Sequence, residues 1–164
     1  MKRFNCSCGN SVFFEQTNCD RCGKTLGFDF NSMKMIPLSS NGSLLIDSAS
    51  KKTYKKCINW TEFNVCNWVI EDSSKNDLCF ACQFNRVIPN QSADNAPVNN
   101  LRWLRLEKAK KRLIFSLARI GLPLKNGWGS SVEGLLFDFA ESMGDKVVTT
   151  GYSDGIITIN SLEA

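Results

Sequence analysis

The sequence predicts an α+β fold, and three observations predict it. Eight cysteines fall into two groups of four, while the 164 residues contain no histidine. One segment, 101–120, repeats apolar residues at helical spacing. Short β-rich runs broken by turn residues lie on both sides of it. Together they give a small metal-organised module over residues 1–30 and a β-rich segment over 31–98 with a second four-cysteine site and a linker. A helix followed by a β-hairpin fills 99–164.

The first cysteine group is Cys6, Cys8, Cys19 and Cys22; the second is Cys57, Cys66, Cys79 and Cys82. The first ends in Cys19-Asp-Arg-Cys22 and the second in Cys79-Phe-Ala-Cys82, and no cysteine is left over. Four thiolates in two clusters suit two tetrahedral zinc ions held as structural sites. In the first group a glycine follows each pair, Gly9 and Gly23. A knuckle that curls its amides toward the sulfurs needs the positive φ that glycine accepts. A module of this size buries too little apolar surface to fold alone, so metal supplies much of its stability. The module is therefore expected to be a zinc ribbon, with 11–15 as a strand between its knuckles.

The second group is less regular, because only its last pair is a standard knuckle. Cys57 and Cys66 could instead be buried thiols, but the Cys79–Cys82 pair would then lack half its tetrahedron. Trp60, Trp68 and Phe80 beside these cysteines are expected to form a local core. A C-x-x-C pair can also serve thiol redox chemistry, which belongs beside a βαβ pattern that neither pair has. The missing histidine excludes Ser-His-Asp triads, Cys-His nucleophiles and H-E-x-x-H metal helices within these residues, so no catalytic residue is assigned.

No apolar run follows the N-terminal residues, and 113–124 is too short to span a bilayer and carries Arg119. These features predict a cytoplasmic protein with reduced thiols and no membrane contact. The formal net charge is +4, but eight metal-bound thiolates and two zinc ions bring the loaded protein near neutrality. Local asymmetry survives: 101–125 holds eight bases and one acid, Glu107, whereas 126–164 holds six acids and one base, Lys146.

The remaining elements follow from pattern. Segments 34–38 and 43–47 are expected strands around the Asn41-Gly42 turn signal. Segment 90–100, rich in Asn, Ser, Pro and Ala, is an expected linker. In the helix over 101–120, Leu106, Leu113, Leu117 and Ile120 form the expected apolar stripe, widened by Ile114 and Ala118. Arg105, Lys108, Arg112 and Arg119 lie opposite, Asn99 or Asn100 caps the start, and Gly121 and Pro123 stop it. The glycines of Gly127-Trp128-Gly129 match no phosphate-binding motif. Residues 132–143 show helical spacing through Leu135, Phe139 and Met143. Segments 146–150 and 155–160 are β-rich and form the expected hairpin, and 161–164 resembles a capped helix start.

The order of these motifs resembles a bacterial family of predicted zinc-binding metallopeptidases with an N-terminal zinc ribbon. The resemblance rests on Cys19-Asp-Arg-Cys22-Gly23, on Leu78-Cys79-Phe-Ala-Cys82 leading into Asn85-Arg86-Val-Ile88-Pro89, and on Leu106-Glu107-Lys-Ala109. Gly134-Leu-Leu-Phe137-Asp138-Phe139 and Asp154-Gly155-Ile-Ile-Thr158-Ile-Asn160 extend it over nearly the whole chain. In that family an H-E-x-x-H helix follows the hairpin and binds the catalytic zinc. The resemblance therefore implies a non-catalytic N-terminal part, inactive alone, whose terminal strand 155–160 could pair with a peptide substrate. The alternative is a zinc-ribbon adaptor for protein or nucleic acid. Its weak nucleic-acid contacts would come from Lys51, Lys52, Lys55, Lys56 and the Arg105 face. Oligomeric state is not readable from the residues.

Overall fold

A computed structural model describes residues 2–92, 94–128 and 134–164. Its contacts divide the chain into two compact units, Met1–Phe80 and Ala81–Ala164.

The first unit begins with a short antiparallel hairpin, β1 (Arg3–Asn5) and β2 (Ser11–Phe13). Five antiparallel strands follow in sequence order: β3 (Thr25–Asp29), β4 (Lys34–Asn41), β5 (Leu44–Asp47), β6 (Thr53–Lys56) and β7 (Val69–Glu71). The β4–β5 hairpin closes through a two-residue loop, Gly42-Ser43, with Gly42 at φ 61°. A β-branched or bulky residue would be strained there. Between β6 and β7, Ile58–Thr61 forms a single helical turn, α1.

The turns after β3 and β5 are built alike. Asp29 accepts N–H bonds from Asn31 and Ser32; Asp47 accepts them from Ala49 and Ser50, plus the Ser50 hydroxyl at 2.6 Å. Met33 and Lys51 then take positive φ, 53° and 60°, and Lys34 and Lys52 resume the ladder. Burial alone would raise the Asp47 pKa. The Ser50 hydroxyl and the two N–H donors outweigh it and hold the carboxyl below its ordinary value.

The five-stranded sheet curls until its edge strands meet. Phe28 forms a bridge to Trp68, and its N–H donates to the Asn67 carbonyl at 2.9 Å. The closure explains Gly27, where an added Cβ would lie 2.4 Å from Val69 Cγ1. Trp68 is fully buried, with ring centroids 4.7 Å from Phe28, 5.6 Å from Phe30 and 6.1 Å from Phe14. Phe80 stacks on Phe30 at 4.0 Å, and Trp60 is buried. The Asn67 side chain donates to the Phe14 carbonyl at 2.8 Å and ties the first hairpin to this core.

The second unit is a four-stranded sheet beside one long helix. β8 (Asn85–Val87), β9 (Leu136–Ala140) and β11 (Ile156–Asn160) run parallel, and β10 (Gly151–Ser153) is antiparallel to β11. The strand order is β10-β11-β9-β8. Parallel neighbours need a crossover, and α2 (Ala96–Arg119) lies between β8 and β9 in the chain. A 3₁₀ turn over Ser161–Glu163 follows β11, and the Asn160 side chain accepts the Leu162 N–H.

Several expectations change here. The helix starts within the expected linker, after Asn95 and with Pro97 in its first turn, where a missing N–H costs nothing. Its buried stripe is also rotated. Trp103, Glu107, Lys110, Lys111, Ile114 and Phe115 are buried, while Leu113 is 40% and Ile120 70% exposed. Ile114 of the expected stripe is fully buried and Arg105, Arg112 and Arg119 are exposed as expected, but buried charged residues shift the centre of the face away from Leu113 and Ile120. The helical spacing of Leu135 and Phe139 belongs to β9, whose Leu136, Phe137, Asp138 and Phe139 are all buried. A strand covered on both faces loses its alternation, so periodicity misleads. Residues 132 and 133 of that expected helix lie outside the described residues. The hairpin is present but its first strand is 151–153 rather than 146–150, with Asp154 and Gly155 at positive φ in the turn.

Gly134 sits where another backbone approaches. A Cβ there would lie 2.4 Å from Gly127 Cα and 2.6 Å from Gly127 N. Neither atom can swing away as a side chain would. Gly134→Ala should therefore cost about 1–3 kcal/mol as overpacking strain; a denaturant midpoint equal to the parent's would refute this.

Candidate metal centres

In the first group the two knuckles face each other. Cys6 N–H donates to Asn10 O and Gly9 N–H to Cys6 O, both at 2.9 Å, while Gly23 N–H donates to Cys19 O at 2.8 Å. Gly9 and Gly23 have φ of 82° and 70°, as the knuckle geometry requires. All four sulfurs lie within 4.8 Å of one another. Cys6 and Cys22 are 3.6 Å apart, Cys8 and Cys19 3.7 Å. A tetrahedron with Zn–S bonds of about 2.3 Å has edges of roughly 3.8 Å, so the cage has the size of a zinc site. A disulfide would bring two sulfurs to about 2.05 Å, and no cysteine forms one.

The sulfurs titrate unequally. The Cys22 backbone N–H, foremost, lowers the Cys19 thiol to about 6, aided by Arg21 N–H and the Asn10 side chain. At Cys22 the Lys24 N–H favours the thiolate, but burial and the Cys8, Cys19 and Cys6 sulfurs push the thiol up to about 11. Four sulfurs this close cannot all be anions without a cation among them.

The second group is Cys57, Cys66, Cys79 and Cys82, again with all sulfurs within 4.8 Å. All four are buried. Cys66 and Cys79 are 3.7 Å apart. Cys66 Sγ accepts the Trp68 N–H at 3.4 Å, and Cys57 Sγ accepts the Cys79 N–H at 3.3 Å. Such bonds offset negative charge on coordinating thiolates. Cys57 immediately precedes α1, and Cys82 opens a 3₁₀ turn ending at Phe84. The structure thus brings together all eight cysteines singled out by spacing, four and four. Both donor sets and edge lengths fit zinc.

Comparison with known proteins bears on both units. Residues 3–93 match the family described as a zinc-ribbon domain. The chain belongs to that zinc-ribbon family. Residues 99–164 match a second family, described as "Putative zinc-binding metallo-peptidase". Similar curated proteins include uncharacterized proteins of Mycobacterium tuberculosis and Mycobacterium bovis, each 28% identical over 164 residues. The alignment covers 99% of this chain and 44% of each relative, so the chain spans less than half their length. No solved structure matches.

The motifs behind the family likeness have structural roles beside the ribbon's partner site. The Asn85 side chain donates to Glu107 Oε1 at 2.5 Å and accepts from Lys110. Arg86 grips buried Asp138 of β9 with two bonds, from Nε at 2.8 Å and from a terminal nitrogen at 2.5 Å. A bidentate guanidinium–carboxylate pair fixes β8 against β9. Sequence reasoning missed the buried polar set of Asn85, Trp103, Glu107 and Lys110. The available signal was Glu107, the lone acid in a basic segment.

The two clusters differ in access. Cys22 of the ribbon is exposed and Cys8 half-buried, whereas the second cluster is covered throughout. A chelator should therefore strip zinc in two phases, the ribbon first and the second site at least about tenfold more slowly. A colorimetric zinc-release trace with one phase, or a Cys22→Ser variant that loses the slow phase, would contradict this order.

Proposed function

We propose that these residues form the non-catalytic, zinc-stabilised part of a zinc-dependent metallopeptidase, inactive on their own. The match of 99–164 to a metallopeptidase family carries the reading. The sheet of the second unit supports it. β11 is already paired on both sides, by β10 and β9, so the peptide-pairing role considered for 155–160 passes to β10. Among the described residues β10 pairs on one side only, and its Tyr152 is 71% exposed. An extended peptide adds to such an edge through main-chain bonds. The two four-cysteine sites serve stability, and no residue of this chain is assigned to bond cleavage.

Eight thiols outside disulfides suit a reducing compartment, and we place the protein in the cytoplasm. Among the described residues no helix is long and apolar enough to cross a membrane.

The test uses the purified chain with zinc. An extended peptide should perturb amide resonances of 151–153, while the same sample cleaves nothing. Robust metal-dependent cleavage would overturn the proposal of inactivity, and unchanged β10 amides would remove the peptide-binding role.

The adaptor reading keeps one supporting observation: Arg105, Arg112 and Arg119 of α2 are exposed. Against it, Lys52 pairs with Glu71 at 2.6 Å, Lys55 pairs with Asp77 at 2.8 Å, and Lys56 lies over the Trp60 ring. Nucleic-acid binding through these arginines should fall steeply with salt. A gel shift that fails at low salt removes it.

A further inference from the structure

The two matched corners of the first unit face a cavity of about 570 Å³. Nothing in the peptidase or ribbon reading uses it. β4 pairs with β3 from Lys34 to Leu38 but with β5 only from Leu38 onward, so the sheet parts beside 34–37. Met35, Ile36 and Pro37 give the cavity an apolar wall, and the ribbon's first knuckle lines it at 5–7. A volume of this size suits a small organic ligand.

Three buried polar side chains line the same space. Asp29 and Asp47 are buried, and among the described residues neither carboxylate has an ion-pair partner. Asp29 takes two hydrogen bonds from its own corner and Asp47 three. An ionised carboxylate offers about four acceptor sites, so each keeps capacity for a further donor. Tyr54 is 1% exposed, and its hydroxyl has no hydrogen-bond partner among the described residues. Burial foremost, then the Asp29, Glu71 and Asp47 charges, pushes its pKa up to about 12. The hydroxyl is therefore a donor at neutral pH, and both buried carboxylates are near enough to act on it.

The cations nearby do not answer these carboxylates. Lys52 gives its ammonium to Glu71 at 2.6 Å. Lys34 and Lys51 are exposed, where water and salt screen them. A buried charge is favourable when it is paired, and the cavity is the open side from which a pairing cation can come.

We propose that this cavity is a binding site for a small organic amine whose ammonium group pairs with Asp29 and Asp47. An acceptor on the ligand takes the Tyr54 O–H, and its aliphatic body lies along Met35, Ile36 and Pro37. The site lies wholly within the first unit and is independent of the metallopeptidase reading. The paired corners then do more than turn the chain: they present two carboxylates to one space.

An amide NMR titration of the zinc-loaded chain with leucinamide tests this, with N-acetylleucinamide as the uncharged control of the same body. Leucinamide should shift resonances of 29–37 and 47–54, and loss of its charge should weaken binding at least about tenfold. Asp29→Asn and Asp47→Asn each keep an acceptor oxygen for the corner and remove one charge. Either should weaken leucinamide roughly threefold or more, as should Tyr54→Phe, which leaves every corner bond intact. Absence of localised shifts in the parent, or equal binding of the two probes, overturns the site. Parental affinity in Tyr54→Phe, or in either folded Asn variant, overturns it as well.

Discussion

Cys66→Ser should reduce the protein from two zinc ions to one and cost about 4 kcal/mol or more. Serine keeps the shape but is a poor zinc ligand, so the tetrahedron loses a corner. Structural zinc contributes folding free energy directly, with apparent values of about 10–16 kcal/mol in small zinc modules. Part of that should survive here because the first unit has its own aromatic core. For a chain of this length a loss of about 4 kcal/mol lowers Tm by roughly 8–16 °C. Elemental analysis and a thermal scan check both parts. Retention of two ions, or an unchanged Tm, would refute the assignment of Cys66 to the second site. Cys22→Ser, at the exposed ribbon site, should cost less.

Trp68→Ala should cost about 3–5 kcal/mol, the range for emptying a buried aromatic site. Trp68 is fully buried, touches Phe14, Phe28 and Phe30, and closes the curled sheet through its bridge to Phe28. Its indole N–H is buried without a hydrogen-bond partner. Leaving such a donor unpaired costs about 1–3 kcal/mol, so Trp68→Phe removes a penalty while leaving a smaller void. Trp68→Phe should therefore lose less than half of what Trp68→Ala loses. Urea unfolding of the two variants decides; equal losses would mean that the indole is paired in solution.

The cysteine clusters were legible because their chemistry is written in residue type and spacing. Gly9 and Gly23 were legible for the same reason, since a knuckle turn has few ways to close. The expected mixed architecture, long helix and terminal hairpin are present. The buried face of α2 was legible only in part, through Ile114. Burial there depends on Glu107 finding Asn85 from β8 and Trp103 one turn away, and no pattern along one helix reports a partner from another element. Strand β9 was hidden because burial on both faces erased its alternation. The paired turns at Asp29 and Asp47 were overlooked because between the aspartate and the following lysine, Lys34 or Lys52, only one serine, Ser32 or Ser50, is common to both. What they share is a backbone path and the sparse string Asp-x-x-Ser-x-Lys, from Asp29 to Lys34 and from Asp47 to Lys52.

Those matched turns carry a consequence for the order of folding. Each joins strands adjacent in sequence, so β3–β4 and β5–β6 can form locally, on the microsecond scale of hairpins. Closure of Phe28 onto Trp68 must wait for forty residues of chain to be brought round, as their numbers show. Cys57 and Cys66 lie in the last part of that span. Refolding followed by Trp fluorescence should thus show a fast zinc-independent phase and a slower one that zinc accelerates. The metal then acts late, as a latch on a sheet whose register two matched corners have already set.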